Sequence, residues 1–334
     1  MSVTNLGQYP DVRLRRLRRT PALRKLIRQT LLTPNDLVSP LFIKEGRNIK
    51  TPISSMPSHF QLSIDQLKDE IKTLTSLNIL GVILFGIPEK KDSVASGSYA
   101  PNSVICDAIK TIKDIAPDLL VITDLCCCEY TDHGHCGVIH QKGNVWEVDN
   151  DPTLEILARQ AVAHAEVGAD LVAPSGMMDG QIQAIRKGLD QSNFSDIPIL
   201  SYAVKYCSTF YGPFREAAEG APKFGDRKTY QIDPANADEA LREAALDLKE
   251  GADLLMVKPA QTYLDIIYRI KQAFPGVPLG AYHVSGEFSA IMAAGEKGWL
   301  DPIATGLEVL TSIKRSGADF IINYFNKLIV PKLI

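Results

Sequence analysis

The sequence lacks the features that would place a chain in a membrane or direct it out of the cell. No apolar run approaches the roughly 18 residues that span a bilayer, and the N-terminus carries no apolar signal segment. The motifs of nucleic-acid-binding proteins, such as a helix-turn-helix or a zinc finger, are also missing. We therefore predict a cytoplasmic protein of 334 residues that binds neither a membrane nor nucleic acid.

Acidic residues are scarce at the start of the chain. Residues 1–30 contain eight lysines and arginines and a single acid, Asp11, whereas the whole chain has a net charge of -3. A basic arm on an acidic body indicates contact with an acidic surface. Nucleic acid and a neighbouring subunit are both such surfaces, and the missing nucleic-acid motifs favour the subunit.

Eight short apolar runs recur along the rest of the chain. Near-continuous apolar character is typical of parallel strands that are buried on both faces. The predicted strands are Pro40–Ile43, Val82–Gly86, Leu119–Asp124, Leu171–Pro174, Ile199–Val204, Leu254–Lys258, Leu279–His283 and Phe320–Tyr324.

Amphipathic segments between these runs predict helices. Their ranges are Ser63–Leu77, Pro152–Val167, Pro234–Lys249, Gln261–Ala273 and Ile303–Lys314. We expect Ser63 to be an N-cap and Pro152 to lie in a first turn. Gly-Ala-Asp precedes three strands, and its glycine can end the previous helix in a left-handed conformation.

This alternation predicts an α/β fold, a (β/α)8 TIM barrel with an extended N-terminal arm. An open doubly wound sheet is the alternative. Polar or reactive residues follow six of the strands, as expected where a barrel carries its chemistry. They are Asp124, Ser175, Lys205, Lys258, Ser285 and Tyr324. We assign residues 1–35 to an arm for subunit contact and residues 36–334 to the catalytic barrel.

Four of the six cysteines fall within eleven residues, 126–136. In a reducing compartment such a cluster points to a metal or to catalysis before disulfides. Cys126 and Cys128 share one face of an extended backbone, and glycines allow Cys136 to turn back towards them. Three thiolates with an open fourth position are typical of a catalytic zinc site. Unligated buried cysteines, or a structural site completed by His133 or His135, are the alternatives.

If zinc binds here, we expect Cys127 to point away from the metal and His135 to be a candidate hydrogen-bond partner of a metal-bound cysteine.

Lys205 and Lys258 each end an apolar strand. A lysine in an apolar setting loses solvation, and a second ammonium nearby lowers its pKa further, which leaves an amine that can attack a carbonyl. Two such lysines favour Schiff-base chemistry over pairing with a carboxylate or phosphate. The long connection Tyr206–Ile232 then predicts a lid whose Arg215 and Arg227 bind a carboxylate, with a solvated loop as the alternative.

Together these residues resemble the porphobilinogen synthase (5-aminolevulinate dehydratase) family over nearly the whole chain. The most specific segments are Cys126–Gly137, Lys205–Glu216 and Met256–Pro259. The resemblance implies a hydro-lyase of tetrapyrrole (heme) biosynthesis that condenses two 5-aminolevulinate molecules, and a homo-octamer as the usual assembly. It also implies zinc on Cys126, Cys128 and Cys136, where other members have aspartates and need no zinc.

The resemblance further implies a role for each site residue. Lys258 would hold the propionate-side substrate and Lys205 the acetate-side substrate. Ser285 and Tyr324 would bind one carboxylate, whereas Arg215, Arg227 and Gln231 would bind the other. Asp124 and Ser175 would lie near the propionate-side amino group, and Tyr202, Phe214 and Tyr282 would line the pocket.

Three positions leave the comparison with the family unsettled. Gly176 and Gln181 replace an aspartate and an arginine that many members carry, which concerns the local loop and interface electrostatics. Glu243 stands where some members bind an allosteric magnesium ion, and a solvated surface glutamate is the alternative.

Two rival functions are a class I aldolase, which would need neither three thiols nor a second lysine, and a catalytically silent relative that binds zinc.

Overall fold

A closed ring of parallel strands forms the centre of the protein. The structure is a computed structural model that describes residues 7–143 and 145–333; residues 1–6 of the predicted arm lie outside it. The strands are β1 Leu37–Lys44, β2 Lys50–Pro52, β3 Phe60–Leu62, β4 Gly81–Ile87, β5 Leu120–Leu125, β6 Ile139–Lys142, β7 Val145–Val148, β8 Leu171–Pro174, β9 Leu200–Lys205, β10 Leu254–Lys258, β11 Leu279–Tyr282 and β12 Phe320–Ile322.

Eight of these strands pair in the order β8-β5-β4-β1-β12-β11-β10-β9, and every pairing along this path is parallel. A parallel bridge between Val172 and Ile199 joins the two end strands and closes the ring. These eight are the strands that the apolar runs predicted, so the TIM-barrel prediction is confirmed and the open sheet is excluded. Two small additions lie outside the ring: a β2–β3 hairpin beside β1, and a separate β6–β7 hairpin.

Helices cover the outside of the ring. They are α1 Pro21–Leu26, α2 Leu67–Ser76, α3 Val104–Ile115, α4 Asn150–Glu166, α5 Gln181–Gln191, α6 Gly212–Ala217, α7 Glu239–Glu250, α8 Leu264–Ala273, α9 Ser285–Glu296, α10 Pro302–Arg315 and α11 Asn326–Ile329. Short 3-10 turns span Leu14–Arg18, Pro34–Asp36, Ile64–Gln66, Ser96–Tyr99, Thr209–Tyr211 and Val330–Lys332. Within the described residues, no helix is long and apolar enough to cross a membrane.

Local signals set the helix ends, and several observed helix starts differ from the predicted ones. The glycines of the Gly-Ala-Asp segments, Gly168, Gly251 and Gly317, have the predicted left-handed conformation. The expected helix from Pro234 starts instead at Glu239, because Asp233 and Asn236 hold a turn before it through hydrogen bonds from Ala235 N and Glu239 N.

Two further differences concern the expected helix starts at Ser63 and Pro152. The Ser63 hydroxyl accepts a hydrogen bond from Ile49 N and donates one to Asp65, so it does not cap a helix. Because α4 begins at Asn150, Pro152 occupies its third position, which still belongs to the first turn.

The N-terminal segment packs little against the barrel. No residue from 7 to 29 is buried, and Leu14 and Leu26 are 69% and 80% exposed. Thr20 caps α1 by accepting a hydrogen bond from Leu23 N. The core of the barrel lies elsewhere: β1, for example, buries seven of its eight residues. Fully burying a Leu or Ile side chain stabilises a fold by about 1.5–3 kcal/mol, so the barrel has its own source of stability.

Candidate active site

Lys205 and Lys258 lie side by side at the carboxyl end of the barrel. They are the last residues of β9 and β10, and they are directly paired in the register of the two strands. Both side chains are buried, at 4% and 5% exposure. The structure therefore brings together the two amines that the sequence singled out.

Aromatic rings surround the ammonium group of Lys258. Its Nζ lies 4.2 Å from the centre of the Tyr282 ring, 5.1 Å from that of Phe214, 5.2 Å from that of Tyr202 and 5.4 Å from that of Tyr211. Burial, and then the charge of Lys205, lower the pKa of Lys258 to about 7. Near neutral pH a large fraction of this lysine is thus an uncharged amine, the form that attacks a carbonyl carbon.

Lys205 has a more polar setting at the ends of β5 and β8. Its Nζ donates a hydrogen bond of 2.5 Å to Ser175 O, and the Ser175 hydroxyl donates one of 3.0 Å to Asp124 Oδ2. Burial, and then the charge of Glu129, raise the pKa of Asp124 to about 7. Asp124 can therefore exchange a proton at neutral pH within reach of the lysines.

The three predicted metal ligands converge beside Asp124. The Sγ atoms of Cys126 and Cys128 are 3.3 Å apart, and those of Cys126, Cys128 and Cys136 all lie within 4.8 Å of one another. All three thiols are buried, as is Cys127, which is not part of this group. Three soft ligands at this spacing fit a tetrahedral thiophilic ion such as zinc.

The histidines of the cysteine loop (residues 126–136) do not join the thiols. His135 Nδ1 is hydrogen-bonded to Tyr230 Oη at 3.2 Å, and its Nε2 to Phe224 O at 3.0 Å. His133 contacts His135 N and Ser93 O. The lid segment (Tyr206–Ile232) thus occupies both nitrogens of the His135 ring, and the role of His135 beside a metal-bound cysteine stays a prediction.

The lid segment covers the cysteine loop and contains the short helix α6, which the sequence analysis treated as irregular. Arg227 is 5% exposed, and its Nη2 donates to Gly134 O at 2.9 Å and to Gly220 O at 2.8 Å. A Cβ on Gly134 would lie 2.2 Å from Ala221 O, so only glycine permits this approach. Arg227 thereby ties the lid to the cysteine loop.

The other predicted carboxylate-binding side chains retain free polar atoms. Gln231 is buried, and neither its amide oxygen nor its amide nitrogen has a partner among the described residues. The Nε of half-buried Arg215 is equally without one. Buried polar atoms normally pair, so these groups are suited to a polar ligand.

Ser285 and Tyr324 follow β11 and β12, the next two strands in the ring after β10. The Ser285 hydroxyl accepts a hydrogen bond of 2.9 Å from Phe214 N, which fixes the lid to the start of α9. Tyr324 Oη is 3.0 Å from Tyr282 Oη. Tyr202, also fully buried, completes this aromatic wall beside Lys258.

Glu129 is a site residue that the sequence analysis missed. It is 2% exposed, and Cys128 Sγ donates to its Oε2 at 3.2 Å. Burial raises the pKa of its carboxyl. Its place directly after Cys128 was the available signal, but an acid in a loop is usually solvated.

Glu243 lies apart from the lysines, at a cavity of about 830 Å³ beside α7. Asp179, Glu239 and Glu250 share the lining with it, and burial followed by the charges of Asp179 and Glu239 raises the pKa of Glu243. No group of three metal-ligating side chains among the described residues includes it. The magnesium assignment stays a prediction.

Gly176 and Gln181 contact each other in the segment after β8. Gln181 is 3% exposed and accepts a hydrogen bond from Met178 N at 3.3 Å. A Cβ on Gly176 would lie 3.4 Å from the same Gln181 oxygen and 3.7 Å from Cys136 O. In this chain, the two residues that replace the aspartate and the arginine are therefore uncharged, buried and close to Cys136.

The fold and the paired buried lysines are those expected of a (β/α)8-barrel enzyme with a candidate lysine-based active site. The family model for delta-aminolevulinic acid dehydratase matches residues 11–331. The chain belongs to the delta-aminolevulinic acid dehydratase family and is, like the family, a lyase. The class I aldolase alternative is thereby excluded.

Relatives match along almost their whole length. The delta-aminolevulinic acid dehydratase of Halalkalibacterium halodurans is 54% identical over 315 residues, 94% of each chain. That of Archaeoglobus fulgidus is 50% identical over 98% of this chain and 100% of its own. The crystal structure of the Toxoplasma gondii ME49 enzyme, in complex with the reaction product porphobilinogen, has a TM-score of 0.92 at 41% identity, covering 96% of this chain and 91% of that one.

Proposed function

We propose that the chain condenses two molecules of 5-aminolevulinate to porphobilinogen through Schiff bases on Lys258 and Lys205, with loss of two waters. The observation that carries the proposal is the direct pairing of the two buried lysines on β9 and β10. Two amines this close can hold two amino-ketones side by side, which converts a bimolecular encounter into an intramolecular one. Family membership supplies the substrate.

Lys258 receives the first substrate, which becomes the propionate side of the product. Its low-pKa amine attacks the ketone in an aromatic cage, while Ser285 and Tyr324 bind the carboxylate. To do so, the Ser285 hydroxyl exchanges its hydrogen bond from Phe214 N for one to the ligand. The substrate's amino group then lies near Asp124 and Ser175, which can hold or accept its proton.

Lys205 receives the second substrate, whose carboxylate binds Arg215, Arg227 and Gln231. Gln231, Arg215 and the Nε of Arg227 have the free polar atoms for this role, while Arg227 Nη2 holds Gly134 O. Closure of the lid excludes water while the carbon–carbon and carbon–nitrogen bonds form. Tyr202, Phe214 and Tyr282 line the pocket.

We assign zinc to Cys126, Cys128 and Cys136, whose spacing supports three-thiolate coordination. When bound there, the ion would act as a Lewis acid that polarises a substrate carbonyl. The remaining assignments are an allosteric magnesium ion at Glu243 and a homo-octamer in which residues 1–35 embrace a neighbour.

Incubation with 5-aminolevulinate, followed by detection of a pyrrole with Ehrlich's reagent, tests the reaction. Wild-type chain should give colour, and Lys258→Ala should give none, a loss of at least a thousandfold because the covalent step is gone. Lys297→Ala, on the exposed end of α9, is the control and should behave as wild type. Turnover by Lys258→Ala at a rate near that of wild type would refute the proposal.

A further inference from the structure

Glu287 is a buried carboxylate that the proposed reaction leaves without a role. It is the third residue of α9 and is 2% exposed. Ser285, which the proposed function assigns to the first substrate's carboxylate, lies two residues before it, at the start of the same helix. Carboxylates are almost never buried to this extent without partners, so the groups that hold Glu287 indicate what it does.

Main-chain N–H groups from two different segments hold the Glu287 carboxylate. Val284 N donates to its Oε2 at 2.8 Å, as in a capping box at the start of a helix. Gln261 N donates to its Oε1, also at 2.8 Å, and Gln261 lies three residues after Lys258. One side chain therefore connects the segment that follows Lys258 to the segment that carries Ser285.

A second contact joins the same two segments. His283 is fully buried, and its Nε2 is hydrogen-bonded to Gln261 Oε1 at 3.2 Å. The main chain of His283 is fixed in turn, because its N donates to Ile322 O on β12 at 2.9 Å. The loop after β10 is thus attached to β11 and α9 through both its main chain and its side chain.

The two segments that Glu287 joins hold opposite ends of one substrate. In the proposed function, Lys258 binds the ketone carbon of the first 5-aminolevulinate, and Ser285 binds the carboxylate of the same molecule. The distance between the amine and the hydroxyl must therefore match the length of the substrate's carbon chain. A misplacement of about 1 Å can lower a rate about 100-fold.

We propose that Glu287 is a positioning residue that sets the spacing between the Lys258 amine and the Ser285 hydroxyl, and thereby selects 4-oxo acids as the first substrate. A glutamine cannot replace it, because the amide nitrogen would face a main-chain N–H group instead of accepting from it. The inference rests on the proposed function, since it requires an imine at Lys258 and a carboxylate at Ser285.

Trapping of two ketones on Lys258 with borohydride separates positioning from folding. 4-Oxopentanoate, the substrate without its amino group, needs both Lys258 and Ser285, whereas pentan-2-one has the same carbon chain without the carboxylate. In Glu287→Gln, trapping of 4-oxopentanoate should be about 10- to 100-fold slower than in wild type, and trapping of pentan-2-one should stay within about twofold. Glu296→Gln, the same change at the exposed end of α9, should match wild type with both ketones.

A purely structural role predicts a different result. If Glu287→Gln slows the trapping of both ketones equally, Glu287 only supports the fold, and the proposal is overturned. Unchanged trapping of 4-oxopentanoate overturns it as well. If peptide mapping of wild type finds the label on a residue other than Lys258, the proposed function fails instead, so the two failures are distinguishable.

The preference for chain length is the second readout. Wild type should trap 5-oxohexanoate, which is one carbon longer, about tenfold more slowly than 4-oxopentanoate, as is usual for one extra methylene in a fitted site. Glu287→Gln should narrow this ratio, because the spacing is no longer fixed. Equal trapping of the two acids by wild type, or the same ratio in the variant, would count against the proposal.

Combining the change with Ser285→Ala tests how the effect reaches the substrate. Because Glu287 acts through Ser285, its replacement should slow 4-oxopentanoate trapping by less than about twofold once the hydroxyl is absent. Single effects that multiply in the double variant would show that Glu287 does not act through Ser285 and would overturn the proposal.

Discussion

At the scale of single residues, the two lysines are neighbours but not equivalents. Lys258 is enclosed by aromatic rings, whereas Lys205 donates to a backbone oxygen next to Asp124 and Ser175. Aromatic rings stabilise the charge of an ammonium group less than oxygen acceptors do. Loss of the proton from Lys258 therefore costs less free energy than it would beside oxygen acceptors. We propose that this asymmetry orders the two substrates, so that the first is captured at Lys258 and the second needs Lys205, the lid and the metal together.

Borohydride reduction with limiting 5-aminolevulinate should therefore label Lys258 preferentially. Lys205→Ala should still allow this labelling while turnover falls at least a hundredfold, because only the first imine can form. Peptide mapping by mass spectrometry locates the label. Labelling found mainly on Lys205, or abolished by Lys205→Ala, would mean that the order of the sites is reversed.

The pH dependence of this labelling should follow the pKa of Lys258. Because that pKa is lowered to about 7, the amine fraction, and with it the labelling rate, should rise as pH increases from 6 to 8 and then level off. An ordinary lysine would still be rising there. Lys205→Ala removes the second cause of the shift but not burial, so the profile should move to higher pH. A single-turnover pH series measures both, and superimposable profiles would contradict the coupling.

At the scale of elements, the cysteine loop and the lid form one unit. Arg227 reaches from the lid to Gly134 in the cysteine loop and back to Gly220 in the lid, and His135 contacts Phe224 and Tyr230. Each buried hydrogen bond left without its partner costs about 1–3 kcal/mol. A change at either end should therefore alter the order of the other.

Arg227→Met should loosen the lid without unfolding the barrel. We expect faster hydrogen exchange over residues 206–232 and over 133–136, together with an increase in KM of about tenfold or more. Lys228→Met, the exposed neighbour, is the matched control. Unchanged exchange in the cysteine loop of Arg227→Met would show that the two elements are not coupled in solution.

Removal of the metal should abolish the activity and leave the fold intact. The three thiols belong to one loop, whereas the barrel core is built from the apolar strands around β1. A chelator should abolish pyrrole formation, and added zinc should restore it, while the far-ultraviolet circular dichroism stays constant. Full activity in rigorously metal-free protein would refute the zinc assignment.

At the scale of the whole molecule, the described part of the N-terminal arm contributes little to the packing of its own subunit. Residues 7–29 are unburied, and the segment carries most of its charge as arginine. Exposed leucines beside these arginines suit a surface that another copy of the chain covers. The barrel, by contrast, closes its own core without the arm.

Deletion of residues 1–25 should lower the oligomeric state and leave the subunit folded. Light scattering gives the mass, and circular dichroism the fold. Replacing the arginines of residues 13–19 by glutamine retains the length of the arm and should give an intermediate, salt-insensitive assembly. An unchanged mass after the deletion would separate the arm from assembly.

Much of the fold could be predicted because each barrel strand coincides with a short apolar run that is recognisable in the sequence alone. The run at Leu171–Pro174, for instance, matches β8 residue for residue. Long-range loop contacts could not be predicted: the bond from Arg227 to Gly134 joins residues 93 positions apart and depends on the whole path of the lid. The burial of Glu129 was hidden for a local reason, because it depends on the turn in which Tyr130 N and Thr131 N donate to Cys127 O.

The cysteine loop has a consequence for how the metal requirement can change over time. All three thiols and Glu129 sit on one short stretch that begins where β5 ends. Exchange of this single segment could thus change which metal ion the chain requires while the paired lysines stayed unchanged. Gly134 sets the boundary of that freedom, because any replacement segment must keep a glycine where the lid carbonyl of Ala221 presses against it. The residues that determine the metal preference therefore lie in one loop that can vary independently of the barrel.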